Sequence, residues 1–388
     1  MKMGVVGCGG RGTHITGKCL EAAQHLGIDM KVEATADAFK GKAEELGNRF
    51  GVPKSKSFGG FDSYRKLLEC ELDVVLLATP PNFRPLHFEA AVDADKHVFM
   101  EKPIAVDPPG ARKVMATGKK ASSKGLSVVA GTQRRHQKSY QEIQYQVSQG
   151  AIGDITGGSI YWCGGRLWFK KRKDKEDNAS YLVRNWVNFT EMSGDHIVEQ
   201  HVHNIDVANW FMGHPPVTAI GFGGRARRMT GNQFDFFSID FDYGDDIHIH
   251  SMCRQINGCY NRVSEFFSGT NGCTWGNGGL KMRNAVEIQI PDFPELEGGD
   301  TQSHVELLRS ILEESPINET RSVTEATLAA LMGRTAAYTG KLVRWKEMVD
   351  GENQAPWCHW TAHPTAEDFE KGPVDLPDEA LIPVPGED

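Results

Sequence analysis

Three groups of residues carry chemistry by their type and spacing. Gly7, Gly9 and Gly12 form a Gly-x-Gly-x-x-Gly run between an apolar strand and a helix. Such glycines permit a tight turn, let backbone approach a pyrophosphate and let the helix pack closely on the strand. The helix N-terminus then offers free N–H groups to phosphate, with Gly10 and Arg11 in the same turn. Asp37 ends the next strand, about 25 residues after the last glycine, near the position that hydrogen-bonds a ribose 2′-hydroxyl. A carboxylate there repels a 2′-phosphate, so NAD is expected rather than NADP. The second group follows the next two parallel strands. Thr79, Pro80 and Asn82 end one, with His87 on the helix after them, and Glu101-Lys102-Pro103 ends the other. Ligands of open α/β sheets bind beyond the carboxyl ends of strands, so this group faces the cofactor crevice. The Lys102 ammonium, stiffened by Pro103, could polarise a substrate hydroxyl and stabilise alkoxide character as hydride leaves. The alternative is a surface lysine paired with Glu101.

The third group lies on a predicted helix over 195–212. Glu199, His203 and Asp206 are spaced i, i+4 and i+7, which places them on one face. A histidine flanked by carboxylates has a fixed ring orientation and favours imidazolium once it accepts a proton, a general-base arrangement. The alternative is a solvated polar stripe. His201 points elsewhere on a helix, and His248 and His250 share a strand face without evident further ligands, so no metal is expected.

The elements that must position these groups change character along the chain. Up to about residue 132, apolar strands at 5–6, 31–37, 73–79, 97–100 and 126–130 alternate with helical stretches. This predicts an α/β domain with a doubly wound parallel sheet. From 133 to 345 strands dominate, separated by Gly and Asn clusters. Together with helices at 139–149, 195–212 and 322–341, they predict an α+β domain on a large, mostly antiparallel sheet. Residues 346–388 are Pro-rich and acidic and read as an extended arm, solvated or laid on a neighbouring subunit.

The 388 residues carry 43 Lys+Arg against 51 Asp+Glu, a net charge of −8 that disfavours nucleic acid as a partner. No apolar run approaches the ~18–20 residues of a membrane span. The first residues run straight into a strand without signal-peptide regions, so a cytoplasmic chain is expected, a trimmed export leader aside. The 8 Cys are scattered without CxxC spacing and read as reduced structural thiols.

Glu101-Lys102-Pro103 after a Gly-x-Gly-x-x-Gly unit resembles the signature of the Gfo/Idh/MocA oxidoreductases, such as glucose–fructose oxidoreductase and inositol dehydrogenase. Gln133-Arg134-Arg135-His136 through Tyr140 to Gly150-Ala151-Ile152-Gly153-Asp154 is similar to that family's link into its second domain. Glu199-x-x-x-His203-x-x-Asp206 resembles its catalytic helix. The resemblance spans about residues 3–345. It implies a Rossmann NAD domain, a small carbohydrate or cyclitol substrate and a homodimer or homotetramer. It also implies that Lys102 contacts substrate and nicotinamide and that His203 accepts the proton. Glu199 stands where the family has Asp, so its contact must shift. Arg134, Trp168, Arg184, Trp186 and Asp206 are the expected substrate contacts. Of these, Trp168, Arg184 and Trp186 sit on an insertion over 163–193, where aromatics with Arg suit carbohydrate or self-packing. Three functions follow: NAD-dependent oxidation of a secondary hydroxyl, a redox-assisted glycosidase, and a non-catalytic NAD-sensing regulator.

Overall fold

The computed structural model describes residues 1–293, 296, 298–351 and 354–386. The first sheet is parallel: β1 (Lys2–Val6), β2 (Lys31–Asp37), β3 (Ser57–Gly59), β4 (Val74–Leu77), β5 (His97–Met100) and β6 (Val128–Ala130), in the order β3-β2-β1-β4-β5-β6. This is a doubly wound order whose switch point lies between β1 and β4. All four residues of β4 are buried, which is why it reads as an unbroken apolar run. The crossovers carry α1 (Gly10–His25), α2 (Lys40–Arg49), α3 (Ser63–Leu68), α4 (Arg84–Asp93) and α5 (Pro108–Ser123).

The second sheet contains β7 (Ile155–Gly164), β8 (Thr218–Gly224), β9 (Phe236–Asp242), β10 (His248–Gln255), β11 (Arg262–Gly269), β12 (Gly272–Thr274), β13 (Leu280–Met282) and β14 (Val343–Arg344). Its order is β13-β12-β11-β7-β10-β9-β8-β14, antiparallel except where β7 meets β10. Period-2 alternation sends Phe237, Ile239 and Phe241 inward. The outward face keeps Ile220, Phe222 and Met252 exposed. Helices α6 (Lys138–Ser148), α7 (Asn178–Arg184), α8 (Thr190–Ser193), α9 (His196–Glu199) and α10 (Val202–Met212) precede most of these strands. Later come α11 (Gly299–Leu312), α12 (Thr320–Thr339), α13 (Trp345–Val349) and α14 (Ala366–Lys371). Helix α12 is buried on nearly every side because it lies against α10 and the inner face of the second sheet while also touching α5. No helix among the described residues is long and apolar enough to cross a membrane.

Three features differ from the sequence-based expectation. The helix expected over 195–212 breaks between Glu199 and Val202. Residues 299–312, assigned to no element from sequence, form α11, which seals α1 by burying Val305, Leu307 and Leu308 beside Ile15, Cys19 and Ala22. The terminal arm lies along its own subunit. Ala362 N donates to Asp107 Oδ2 at 2.8 Å, and Tyr64 Oη and Arg65 Nη2 both donate to Glu370, at 2.8 and 2.9 Å. Phe369 packs between Phe61 and Phe83.

A buried ion triad ties the chain to α11 and α12 where it leaves the first sheet. His136 Nδ1 faces Glu306 Oε2 at 2.8 Å, and its Nε2 faces Glu319 Oε1 at 3.1 Å. Burial opposes the imidazolium, but the two carboxylates outweigh it and push His136 up to about 10. An unfolded imidazole releases its proton near 6.5. The stabilisation is therefore complete below pH 6.5 and drains away as pH climbs towards 10. Replacing His136 by Ala leaves two carboxylates without their cation and is expected to cost about 3–5 kcal/mol in urea unfolding. The same variant should flatten the decline of stability above pH 6.5.

Candidate active site

The glycine run builds a cradle at the switch point. Gly7 adopts φ +94°, and a Cβ there would lie 2.5 Å from the Thr79 backbone nitrogen. A Cβ on Gly12 would lie 1.9 Å from the Gly7 carbonyl oxygen, so only glycine lets α1 sit this close to β1. At Gly9 a Cβ would meet nothing within 4 Å: it would project into open space where a phosphate must approach. No side chain caps α1 and no acid occupies its first turn, which leaves the N-terminal N–H groups and the positive end of the dipole for an anion. Asp37 is largely buried. Burial pushes its carboxyl up, while the backbone N–H groups of Cys8 and Phe39, at 2.7 and 2.8 Å, hold the ionised form. These residues fit a dinucleotide.

A groove of about 1120 Å³ runs over the cradle. Gly7, Gly9, Gly10, Arg11, Asp37, Thr79, Pro80 and His87 line it, and so do Trp168, Arg184 and Trp186. Gly12 lies beneath the cradle. Asn82 does not reach the groove. Its Nδ2 donates to the backbone oxygens of Glu191 and Pro364, so it clamps α8 and the arm to the first sheet. His87 is a mostly buried part of the wall. Its Nδ1 lies 3.2 Å from Thr79 Oγ1, and burial lowers it to about 3, so it stays neutral. Arg84, which sequence reasoning overlooked, is fully buried and ties the ends of β4 and β5 together through Thr79 O at 2.7 Å and Glu101 O at 3.0 Å. Glu101 receives Arg11 Nε at 2.6 Å, and Arg11 also reaches Asp300 on α11 at 2.8 Å.

Beyond the strand ends, Lys102 meets the broken helix. Its Nζ donates to the Glu199 carbonyl oxygen at 2.5 Å and lies 3.3 Å from Glu199 Oε1. The break explains this contact. In a continuous helix the Glu199 carbonyl would accept the His203 N–H. Here His203 N turns to Gln200 O at 3.4 Å, and the freed carbonyl takes the ammonium. Gln200 and His201 side chains are drawn to β10, by Gln255 at 2.9 Å and Ser251 at 2.8 Å, which accompanies the opening of the turn. Two of the three Lys102 donor positions are thus engaged.

The expected carboxylate-flanked His203 is not what the fold makes. Glu199 serves Lys102, and Asp206 is buried against Arg135 in a bidentate pair with contacts of 2.8–3.0 Å. Asp206 is therefore held away from any substrate. His203 instead stacks on Trp162, with centroids 5.7 Å apart and planes at 23°. Arg134 also lies over the Trp162 ring, at 5.7 Å, and pairs with Glu265. Glu265 in turn accepts Asn204 Nδ2 at 2.6 Å and Tyr140 Oη at 3.1 Å. Burial first, then the charges of Lys102, Arg134 and Arg11, hold His203 well below the usual histidine range, so it is a neutral proton acceptor and not an imidazolium. Lys102 is bonded to the carbonyl of Glu199, four positions before His203, so the ammonium sits at the turn that leads into the imidazole. Lys102, Glu199, His203 and Arg134 stand outside the lining of the dinucleotide groove, whereas the insertion residues stand within it.

Residues 1–129 match the family model described as the oxidoreductase family with an NAD-binding Rossmann fold. Among curated proteins, the chain is 25% identical over 198 residues to D-glucoside 3-dehydrogenase of Escherichia coli K12, covering 50% of this chain and 49% of that protein. It is 24% identical over 202 residues to inositol 2-dehydrogenase of Rhizobium meliloti, covering 52% and 53%. The matched region thus spans about half the length of these relatives. Among solved structures, scyllo-inositol dehydrogenase of Lactobacillus casei with bound NAD(H) and scyllo-inositol superposes with a TM-score of 0.67 over 89% of this chain and 98% of that one, at 21% identity. That likeness extends the shared fold across both sheets. The glycine cradle and the matched residues 1–129 make the first domain an NAD-binding Rossmann domain of the Gfo/Idh/MocA oxidoreductase type, on a two-sheet fold shared with that solved dehydrogenase.

Proposed function

We propose that the chain oxidises a secondary hydroxyl of a sugar, glycoside or cyclitol with NAD. The observation that supports this reading is that Lys102, at the end of β5, is bonded to Glu199 O, four positions before a buried, neutral His203. Neutral His203 takes the hydroxyl proton, and the Lys102 ammonium steadies the oxygen as negative charge develops. When bound, NAD supplies the acceptor for the hydride that leaves the same carbon, so a carbonyl forms with the electrons balanced. The cations that keep His203 neutral also favour the alkoxide, so they assist proton removal while lowering the base strength. Glu199 anchors the ammonium in a chosen direction. The carboxylate of Asp37 supports NAD over NADP through repulsion of a 2′-phosphate. Substrates of this class agree with the relatives named above.

The test is NADH formation against a panel of sugars, glycosides and inositols. Turnover of at least one with net NADH supports the reading. Aglycone release without net NADH would replace it by the redox-assisted glycosidase. Tight NAD binding with no turnover would replace it by the regulator. We further infer a homo-oligomer paired through the outward face of the second sheet, where Phe222 is 64% and Ile220 50% exposed. Light scattering at micromolar concentration is expected to give a dimer or tetramer, and a monomer would contradict it.

A further inference from the structure

The groove over the glycine cradle has a second wall that does not come from the first sheet. Its lining includes Gly9 of the β1–α1 turn together with Asp37 and Phe39 at the end of β2, where the adenosine ribose of a dinucleotide lies. Trp168, Arg184 and Trp186, from outside the first sheet, line the same groove. These are the residues that sequence reasoning assigned to a sugar, and the fold places them over the cofactor cradle instead.

The wall is built, not draped. Asn185 is fully buried and brackets Lys170, accepting its backbone N–H at 2.8 Å and donating to its carbonyl at 3.1 Å. Asn188, also buried, donates to the Trp168 carbonyl at 3.0 Å. Beneath them Leu182, Phe189 and Met192 form an apolar cluster with Phe83 of the first sheet's crossover and Phe369 of the arm. The insertion is therefore held to the first sheet directly and through the arm. Against this fixed backing Trp168 is still 46% exposed, edge-on to Trp186 at 6.1 Å. A large apolar ring left open in the groove, beside a second one, offers a flat surface for a heteroaromatic ligand.

We propose that the segment 165–186 is the second half of the dinucleotide site, with Trp168 and Trp186 giving their apolar faces to the adenosine moiety. The proposal rests on the reading of the glycine cradle as a dinucleotide site. It does not depend on the substrate or the reaction.

The exposed run Lys170-Lys171-Arg172-Lys173 supplies a built-in probe, because trypsin cleaves after these residues. With the full chain, saturating NAD is expected to slow tryptic cleavage within 170–175 by about 10-fold or more. Trp168→Ala is expected to weaken NAD binding by titration calorimetry at least about 5-fold, as for loss of a base-stacking aromatic. Trp168→Phe should restore most of it. Trp168 is half-exposed, so these substitutions leave the core unchanged, and circular dichroism checks the fold. NAD that binds with unchanged affinity to Trp168→Ala and Trp186→Ala, and leaves cleavage at 170–175 unchanged, would overturn the proposal while leaving the dinucleotide site standing. Failure of NAD to bind the unaltered protein would overturn both.

Discussion

Replacing His203 by Ala is expected to lower kcat by about 10²–10⁴, the range for loss of a general base. Trp162 loses a stacking partner but keeps Arg134 over its ring, so the site should stay assembled. The pH profile separates a base from a structural residue. The active form is the neutral imidazole, and its burial among Lys102, Arg134 and Arg11 holds its proton affinity well below the ordinary value of 6.5. The acid limb of kcat/KM is accordingly expected below pH 6.5, with activity retained as pH falls through that value. An acid limb at or above 6.5 that disappears in His203→Ala would contradict the electrostatics described here. An unchanged rate in that variant would remove His203 from the chemistry.

Lys102→Met is expected to cost about 10²–10³ in kcat, comparable to removal of one donor from a developing oxyanion. Methionine keeps much of the length and apolar stem while removing the charge. Its second consequence concerns the helix break. Without the ammonium, the Glu199 carbonyl and carboxylate lose their partner in a site where both residues are largely screened from water. Glu199→Gln is the matching control. It keeps the carbonyl contact, weakens only the side-chain one, and so should be milder than Lys102→Met. Equal losses in both variants would mean that the carboxylate and not the freed carbonyl directs the ammonium.

Much of this was legible from the residues. The buried run of β4 and the glycine cradle announce a parallel sheet with an anion site, because the physics behind each is local. What escaped depends on partners distant in sequence. The i, i+4 argument for Glu199 and His203 presumes an unbroken helix, and the break involves Gln255 and Ser251 on β10. Asp206 looked available because Arg135, 71 positions earlier, cannot be paired with it by spacing. Helix α11 was overlooked although Val305 and Leu308, and Leu307 and Ile311, stand three and four apart. Its Gly-flanked, polar start and modest apolar content hid an element whose role is to cover α1. Composition left the aromatic insertion open between carbohydrate binding and self-packing, and its neighbours Phe83 and Phe369, distant in sequence, anchor it beside the groove.

The contact between Phe83 and Phe369 also sets an order of events during synthesis. The two residues are separated by 286 positions, so at ~5–20 residues per second roughly 15–60 s pass between their emergence. Throughout that interval Phe83 lacks the Phe369 ring that packs against it. Ribosome-associated chaperones that recognise apolar surface have their longest opportunity there.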